Sequence, residues 1–521
     1  MRADATVADS EEQFGAVLPF QVLHYPIPQL MDSVDGVAWT AWPPPMTSSL
    51  ASWITGTREL GSAGNQIYVH VPFCPFYCHF CPLYKTQEGQ HRNAETVERF
   101  VASIIKEITA YGGLGLSGDS FRTVYFGGGS PTQLSPEQLG RILGALRQSF
   151  RIQPDAEVTL EGVATRLADP HYLRAAIEQG FNRISFGVQT LDPEIRLKIG
   201  RGEHLEDYTR LLDTLADLGH PIPFNADLMI GLPGQTVEGH LADLAEVIGW
   251  GVTSLDVYAY WMVPGTRLFT NVTEGRRHAP RYGSELLELR HRGKELLLAS
   301  GFHQASGEAY VRAEEDAFIQ TTFGAGGNGI NTALAFGPSA IGLVNGSLYQ
   351  NVADLGAYLA FVEGGRAPVG RYQPITGRVA QRRATLFGMQ RLVIPKPVVS
   401  RRDDRQLRRW VERGLLEDRG TEYIVTQKGS LWYNQMQLGL LPLGEQLRLA
   451  GMMGTSEQQR QALAKSRDDD LGLASQFKAQ VRGRSKVVGN VKLAGYQALL
   501  ELKRLPFFPD DAMDFRGRIR Q

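Results

Sequence analysis

The stretch Ile67–Cys81, IYVHVPFCPFYCHFC, decides how the rest of the chain is read. Its first half reads as a short strand of β-branched and aromatic residues. Its second half holds all three cysteines of a 521-residue chain, Cys74, Cys78 and Cys81, within eight residues. Random placement would scatter them, and three are too few to staple a secreted fold of this length. The spacing C-x3-C-x2-C sets three thiols on one loop flanked by Pro72, Pro75 and Pro82. Three thiolates can hold three irons of a cubane cluster and leave the fourth iron without a protein ligand, free to chelate a small molecule. Structural zinc is the competing reading: His70 or His79 could complete a four-ligand set, but a single compact triplet lacks the second half of a finger. A redox dithiol would more naturally show C-x-x-C alone.

Outward from that strand, short apolar runs alternate with amphipathic stretches. Strands are expected at Ile67–Val71, Thr123–Phe126, Glu157–Leu160, Ile184–Gly187, Phe224–Ile230 and Leu255–Tyr260. Between them, Glu95–Ile108 places Val97, Phe100, Val101, Ile104, Ile105 and Ile108 on one helical face. Further helices are expected at Ser135–Phe150, Asp169–Gln179, Leu205–Leu218 and Thr236–Ile248. Repeated strand-then-helix order demands a parallel sheet with right-handed crossovers, and about six units make an α/β partial barrel whose post-strand loops share one face.

The length implies two to four units at about 150 residues each. We read residues 1–64, with the Pro-rich AWPPPM, as an irregular extension lying over a later core, and 65–370 as the barrel. Residues 371–442 carry a basic helical stretch at Arg382–Leu392, another at Asp404–Arg413, and the turn-and-hairpin segment GLLEDRGTEYIVTQKGSLW, a winged-helix-like arrangement. The charge around Arg401–Arg409 reads as a solvated face, since one basic helix is weak evidence for a nucleic-acid reader. Residues 443–521 read as a polar helical tail. A net charge of -1 gives no global field toward nucleic acid or an anionic membrane. The polar start MRADATVADSEEQ and the lack of any apolar run near 18 residues point to a cytoplasmic protein with no membrane partner.

Tyr68–Cys74 together with Cys78–Cys81 resembles the cluster motif of the oxygen-independent coproporphyrinogen III dehydrogenase-like branch of radical S-adenosylmethionine (SAM) enzymes. The resemblance runs from about residue 65 to about 435, with its motifs in order. It implies a partial (β/α)6 radical SAM barrel, one 4Fe-4S cluster on Cys74, Cys78 and Cys81, and bound SAM. The glycine turn Phe126–Thr132, FGGGSPT, matches the segment against the methionine end of SAM, through Gly128, Gly129 and Ser130; a plain tight turn would explain it equally. Glu161 matches a carboxylate that holds the cofactor, the alternative being a solvated loop residue. Gln189, Arg201 and Asp227 match contacts to a second SAM, although Arg201 could be a surface ion-pair partner and Asp227 a cap at the sheet edge. Tyr68, Phe80 and Ala259 match further cofactor contacts, and Phe323–Gly329 a late glycine-rich segment near the substrate.

The expected activity is reductive cleavage of SAM to a 5'-deoxyadenosyl radical, fed by an electron donor such as flavodoxin or ferredoxin. If two SAM molecules bind, the methyl of the second can become a methylene radical that adds to an sp2 carbon of a natural-product or tetrapyrrole-like substrate. Methylation or cyclopropanation, in company with a partner methyltransferase, is therefore the leading expectation. The alternative is oxidative decarboxylation of coproporphyrinogen III. Against it, Pro82–Leu83 stand where that enzyme carries a further cysteine, and the N-terminal segment lacks an Arg-Tyr-rich pattern. A haem chaperone is a third reading, but HQASGEAYVRAEED replaces the HNxxYW-like segment of such proteins. No residue stands out as a general base.

Overall fold

The computed structural model describes residues 40–41, 65–86, 93–113, 120–260, 266–273, 276–277, 283–312, 332–344, 347–374 and 377–441. Six strands run parallel and in sequential order: β1 (Asn65–Val71), β2 (Ser120–Gly128), β3 (Arg151–Gly162), β4 (Arg183–Gln189), β5 (Phe224–Ile230) and β6 (Ser254–Ala259). The covering helices include α1 (Ala94–Gly112), α2 (Pro136–Ser149), α3 (Pro170–Glu178), α4 (Pro193–Ile199), α5 (Leu205–Ala216) and α6 (Val237–Gly249). Their starts are chemically marked. The Asn93 side chain accepts from Thr96 N, while Ser135 and Gln138 cap one another's backbone with Pro136 at the first helical position. Side chains alternate across each strand, so Ile67, Val69, Val124, Phe126, Val158, Leu160, Ile184 and Phe186 pack under the helices in one continuous core. The intervening residues face inward, and they build the site.

The sheet extends past the barrel on both sides. After α7 (Arg267–Thr273) and α8 (Gly283–Ala299), the short strands β7 (His303–Gln304) and β8 (Ala309–Val311) extend the sheet, β8 antiparallel to β6 and β7 antiparallel to β8. On the other edge β9 (Ala333–Phe336) lies parallel to β1, followed antiparallel by β10 (Ile341–Val344), β11 (Ser347–Asn351) and β12 (Val369–Pro374), with α9 (Leu355–Glu363) between the last two. The pair Thr40–Ala41, within the expected N-terminal extension, adds a further short strand against β12. These additions make a 13-stranded mixed sheet, and β12 straddles the boundary expected at 370/371.

The winged-helix-like expectation is met by α10 (Gly377–Gln390), α11 (Arg401–Glu412) and a three-stranded antiparallel sheet of β13 (Val393–Pro395), β15 (Glu422–Val425) and β14 (Leu416–Asp418). Helix α12 (Tyr433–Leu440) closes it, and Trp410, Trp432 and Tyr433 fill a core shared with Leu286 and Leu289 of α8. On α11 the inward face is Asp403, Leu407 and Trp410, whereas Arg401, Arg402, Arg405 and Arg408 are exposed, the last donating to Asp404 at 2.8 Å. No described helix is long and apolar enough to cross a membrane. Most of the N-terminal extension, the segment Phe323–Gly329 and the tail from 443 lie outside the described residues.

Candidate active site at the cysteine loop

The cysteine loop leaves the C-terminal end of β1 and is tied down on two sides. Gly129 N donates to Val71 O at 2.8 Å and Ser130 N to Phe73 O at 2.6 Å, so the glycine turn after β2 lies directly against it. A Cβ on Gly129 would stand 2.5 Å from Phe73 O, and Gly128, at φ +105°, would drive one into the His70 ring. Both positions therefore require glycine. On the opposite side, His79 N donates to Ile199 O at 2.7 Å, His79 Nδ1 to Lys198 O at 3.0 Å, and Leu268 N to His79 O at 2.8 Å. Phe80 packs beside Ile195, Ile199, Met229 and Leu268.

The donor set fits a cubane. All three cysteines are half-buried and free of disulfides. Among the described residues no three His, Cys, Asp or Glu side chains are gathered as they would be around a single metal ion. A cubane instead takes each thiolate on a separate iron. Burial pushes the Cys74 thiol up to about 11 and raises Cys81 too, so metal has to displace a proton from each of these two. Lys85 opposes that burial through a hydrogen bond to Cys81, and on the other side Arg201 Nη1 lies 3.7 Å from Cys78 Sγ.

Behind the loop the inward-facing residues form a polar wall. Tyr68 on β1 stacks on Tyr125 of β2, with ring centroids 6.3 Å apart. His70 Nε2 donates to Tyr84 O at 3.0 Å, and burial holds its pKa down at about 4. The neutral ring therefore accepts from the Tyr68 hydroxyl at Nδ1, 3.2 Å away. Glu161, at the end of β3, accepts from Tyr125 and from Gly128 N; burial, then repulsion from Asp227, lifts its pKa to about 8. Asp227 on β5 pairs in register with Gly187 of β4 on one side and Asp256 of β6 on the other. Asn225 Nδ2 donates to Asp227 Oδ1 at 2.7 Å and to Asp256 Oδ2 at 3.2 Å. Burial raises both aspartates, and Asp227 raises Asp256 further.

Arg201 links wall and loop. Its Nη2 donates to Gly187 O and, at 3.1 Å, to Glu203 Oε1, and its Nε sits 2.6 Å from Glu203 Oε2. Burial works against its charge, but Glu203, Tyr208 and Cys78 outweigh burial and hold the pKa above the ordinary value. It is thus a buried ion-pair partner, not a surface one. Gln189 lies at the end of β4 with φ 69°, a left-handed conformation uncommon outside glycine. Ser130 is buried with its hydroxyl 2.9 Å from Thr132 Oγ1. Ala259 ends β6 opposite Ile230, and both belong to the core that continues into the C-terminal unit.

The structure thus brings Tyr68, Gly128, Glu161, Arg201 and Asp227 into one electrostatic neighbourhood with the cysteines. Reading the sequence missed Lys85, Tyr125, Glu203, Asn225 and Asp256. Their signal was local: Lys85 follows Cys81 by four residues, Glu203 follows Arg201 by two, and Asn225 and Asp256 are polar residues at inward positions of otherwise apolar strands.

Comparison with known proteins agrees with this geometry. The radical SAM superfamily matches residues 68–246. Anaerobilin synthase of Escherichia coli O157:H7 is 28% identical over 74% of this chain and 86% of its own length. The oxygen-independent coproporphyrinogen III oxidase of Paracoccus denitrificans is 28% identical over 58% of this chain and 68% of its own. The solved coproporphyrinogen III oxidase HemN of Escherichia coli superposes with a TM-score of 0.62 at 23% identity, covering 75% of this chain and 92% of that one. Residues 68–246 thus carry a radical SAM domain, and the chain is similar to HemN-like proteins over most of its length. A 4Fe-4S cluster and SAM are typical of such enzymes, and Cys74, Cys78 and Cys81 carry the matching C-x3-C-x2-C motif.

Proposed function

We propose that this HemN-like protein cleaves SAM reductively at a cluster on Cys74, Cys78 and Cys81 and turns the radical on a tetrapyrrole, with oxidative decarboxylation of coproporphyrinogen III as the leading reaction. The observation that carries the reading is the pair of buried carboxyl groups Glu161 and Asp227, which share one electrostatic neighbourhood with Arg201 beside the cysteine loop. Two buried carboxyls with raised pKa values suit a ligand carrying a sulfonium and an ammonium, because those cations favour the charge that burial disfavours. The substrate comes from the relatives, one named for coproporphyrinogen III and one for anaerobilin. Their support outweighs the two sequence departures that favoured methyl transfer.

Cys74, Cys78 and Cys81 would hold the cluster, which when bound would supply the electron for reductive cleavage of the SAM carbon–sulfur bond. This chain's residues orient and enclose the reactants. Glu161 offers an acceptor fixed by Tyr125 and Gly128 N. Arg201 keeps a guanidinium beside Cys78 Sγ. Anaerobically reconstituted protein with dithionite and SAM is expected to form 5'-deoxyadenosine, and with coproporphyrinogen III to form vinyl products; no deoxyadenosine at about four irons per chain would sink the proposal. Gln189 at the end of β4, Arg201 just after α4 and Asp227 within β5 support the second reading, methyl transfer from a second SAM. Deuterium passing from methyl-labelled SAM into 5'-deoxyadenosine would favour it.

A further inference from the structure

An electron must reach the cysteine loop from outside, and the described surface beside that loop carries an exposed leucine next to a cation-lined hollow. Leu197 on α4 is 80% exposed, and Leu83, two residues after Cys81, is 40% exposed. Next to Leu197, Lys198 joins Pro233, Leu268, Arg276 and Arg277 around a hollow of about 280 Å3. Arg276 N and Arg277 N both donate to Asn271 O, which fixes the two arginines at the end of α7. On the loop itself the Tyr77 ring has Lys85 Nζ 5.4 Å and the Arg267 guanidinium 5.8 Å from its centroid. Lys198, Arg276 and Arg277 thus border the hollow, with Glu194 pairing with Lys198 at 3.3 Å, and Arg267, next to Leu268 of the hollow, faces Tyr77 of the loop. The whole chain carries a net charge of only -1, so this excess is local.

The face is also joined to the ligand loop through short covalent and hydrogen-bonded links. His79 stands between Cys78 and Cys81, and its three hydrogen bonds run to Lys198 O, Ile199 O and Leu268 N, residues that line the hollow. Electron tunnelling falls steeply with distance, so an entry point at the residue next to Cys78 and two from Cys81 is favoured over any more remote surface. An exposed leucine next to a hollow lined by Lys198, Arg276 and Arg277 matches a small, steered, short-lived interface.

We propose that this face docks an acidic one-electron carrier protein of the flavodoxin or ferredoxin kind, seated over Leu197 with its carboxylates against Arg276, Arg277 and Arg267. The inference rests on the proposed cluster at Cys74, Cys78 and Cys81. In the transfer the carrier's reduced cofactor loses one electron and the cluster gains it; no bond or proton needs to move in this chain. The test uses the reconstituted full chain and a bacterial flavodoxin. Arg276→Glu/Arg277→Glu, and separately Leu197→Glu, are expected to raise the Kd for flavodoxin at least tenfold at low salt and to slow oxidation of flavodoxin hydroquinone similarly. Deoxyadenosine formation driven by dithionite should be unchanged in both. A flavodoxin Kd within twofold of the unsubstituted chain, or no flavodoxin binding by that chain, overturns the docking surface. So does loss of inorganic phosphate binding with flavodoxin binding intact, which makes the hollow a small-anion site. If dithionite itself yields no deoxyadenosine, the proposed function fails, while the binding comparison still decides the surface.

Discussion

Two residues of the site make opposite demands on their neighbours, and each yields a measurement. Glu161 has its pKa at about 8 before any ligand arrives, because burial and Asp227 disfavour its charge. A cationic ligand favours the ionised form, so binding expels a proton. The affinity for SAM should therefore climb as pH rises from 6.5 and level off above about 8. Equilibrium dialysis on the reconstituted protein checks this, and Glu161→Gln should bind SAM at least tenfold more weakly with a flatter pH profile. A steeper profile in the variant would contradict the assignment. Gly129 demands space instead. The 2.5 Å approach of an added Cβ to Phe73 O means that Gly129→Ala has to push the cysteine loop from the glycine turn. The variant should fold, with an unchanged far-ultraviolet circular dichroism spectrum, yet hold substoichiometric iron after reconstitution.

At the scale of elements, α6 carries a histidine that the mechanism does not use. His240 is 1% exposed, Gly293 of α8 lies against its ring, and neither ring nitrogen has a hydrogen-bond partner. Burial alone drives its pKa down to about 4. A neutral imidazole with an unmet N–H between two helices is costly, so His240→Leu should stabilise the protein by about 1–2 kcal/mol in chemical denaturation at neutral pH. The depressed pKa fixes the pH sense. Stability from the neutral ring is present above the unfolded value of about 6.5 and is lost as pH falls toward 4, so the gain from leucine should grow on acidification. Elements such as α6 were legible because their patterns are local: the six parallel strands and five of their helices were readable from period and caps. Strands β7 to β12 were not, being two to six residues long and defined by long-range pairing. The site divides in the same way. Cysteines, the glycine turn and Glu161 announce themselves by spacing, whereas Asp256 and Asn225 acquire meaning only when β5 and β6 lie side by side.

Across the whole molecule, one buried carboxyl joins the barrel to the antiparallel extension. Glu107 projects from α1 and accepts from Gly337 N at 3.0 Å, from Asn351 Nδ2 at 2.7 Å and from the Tyr358 hydroxyl at 2.6 Å. Those partners belong to the turn after β9, the end of β11 and helix α9, so three segments distant in sequence meet on one side chain. Burial raises its pKa to about 7, the three hydrogen bonds opposing only part of that rise. A carboxyl whose folded pKa lies above its unfolded value contributes stability that is complete below about 4.5 and lost as pH passes up through 7. The native state here holds the extra proton. Urea midpoints measured from pH 5 to 8 should therefore decline for the natural chain once other titrations are subtracted. Glu107→Gln removes the titrating group while keeping one acceptor and a similar shape, so its midpoints should lie below the natural chain's at pH 5 and converge on them, or cross, near pH 8. Parallel curves for the two proteins would show that Glu107 binds its proton no differently folded than unfolded, and that the junction between barrel and extension is held by apolar packing rather than by this carboxyl.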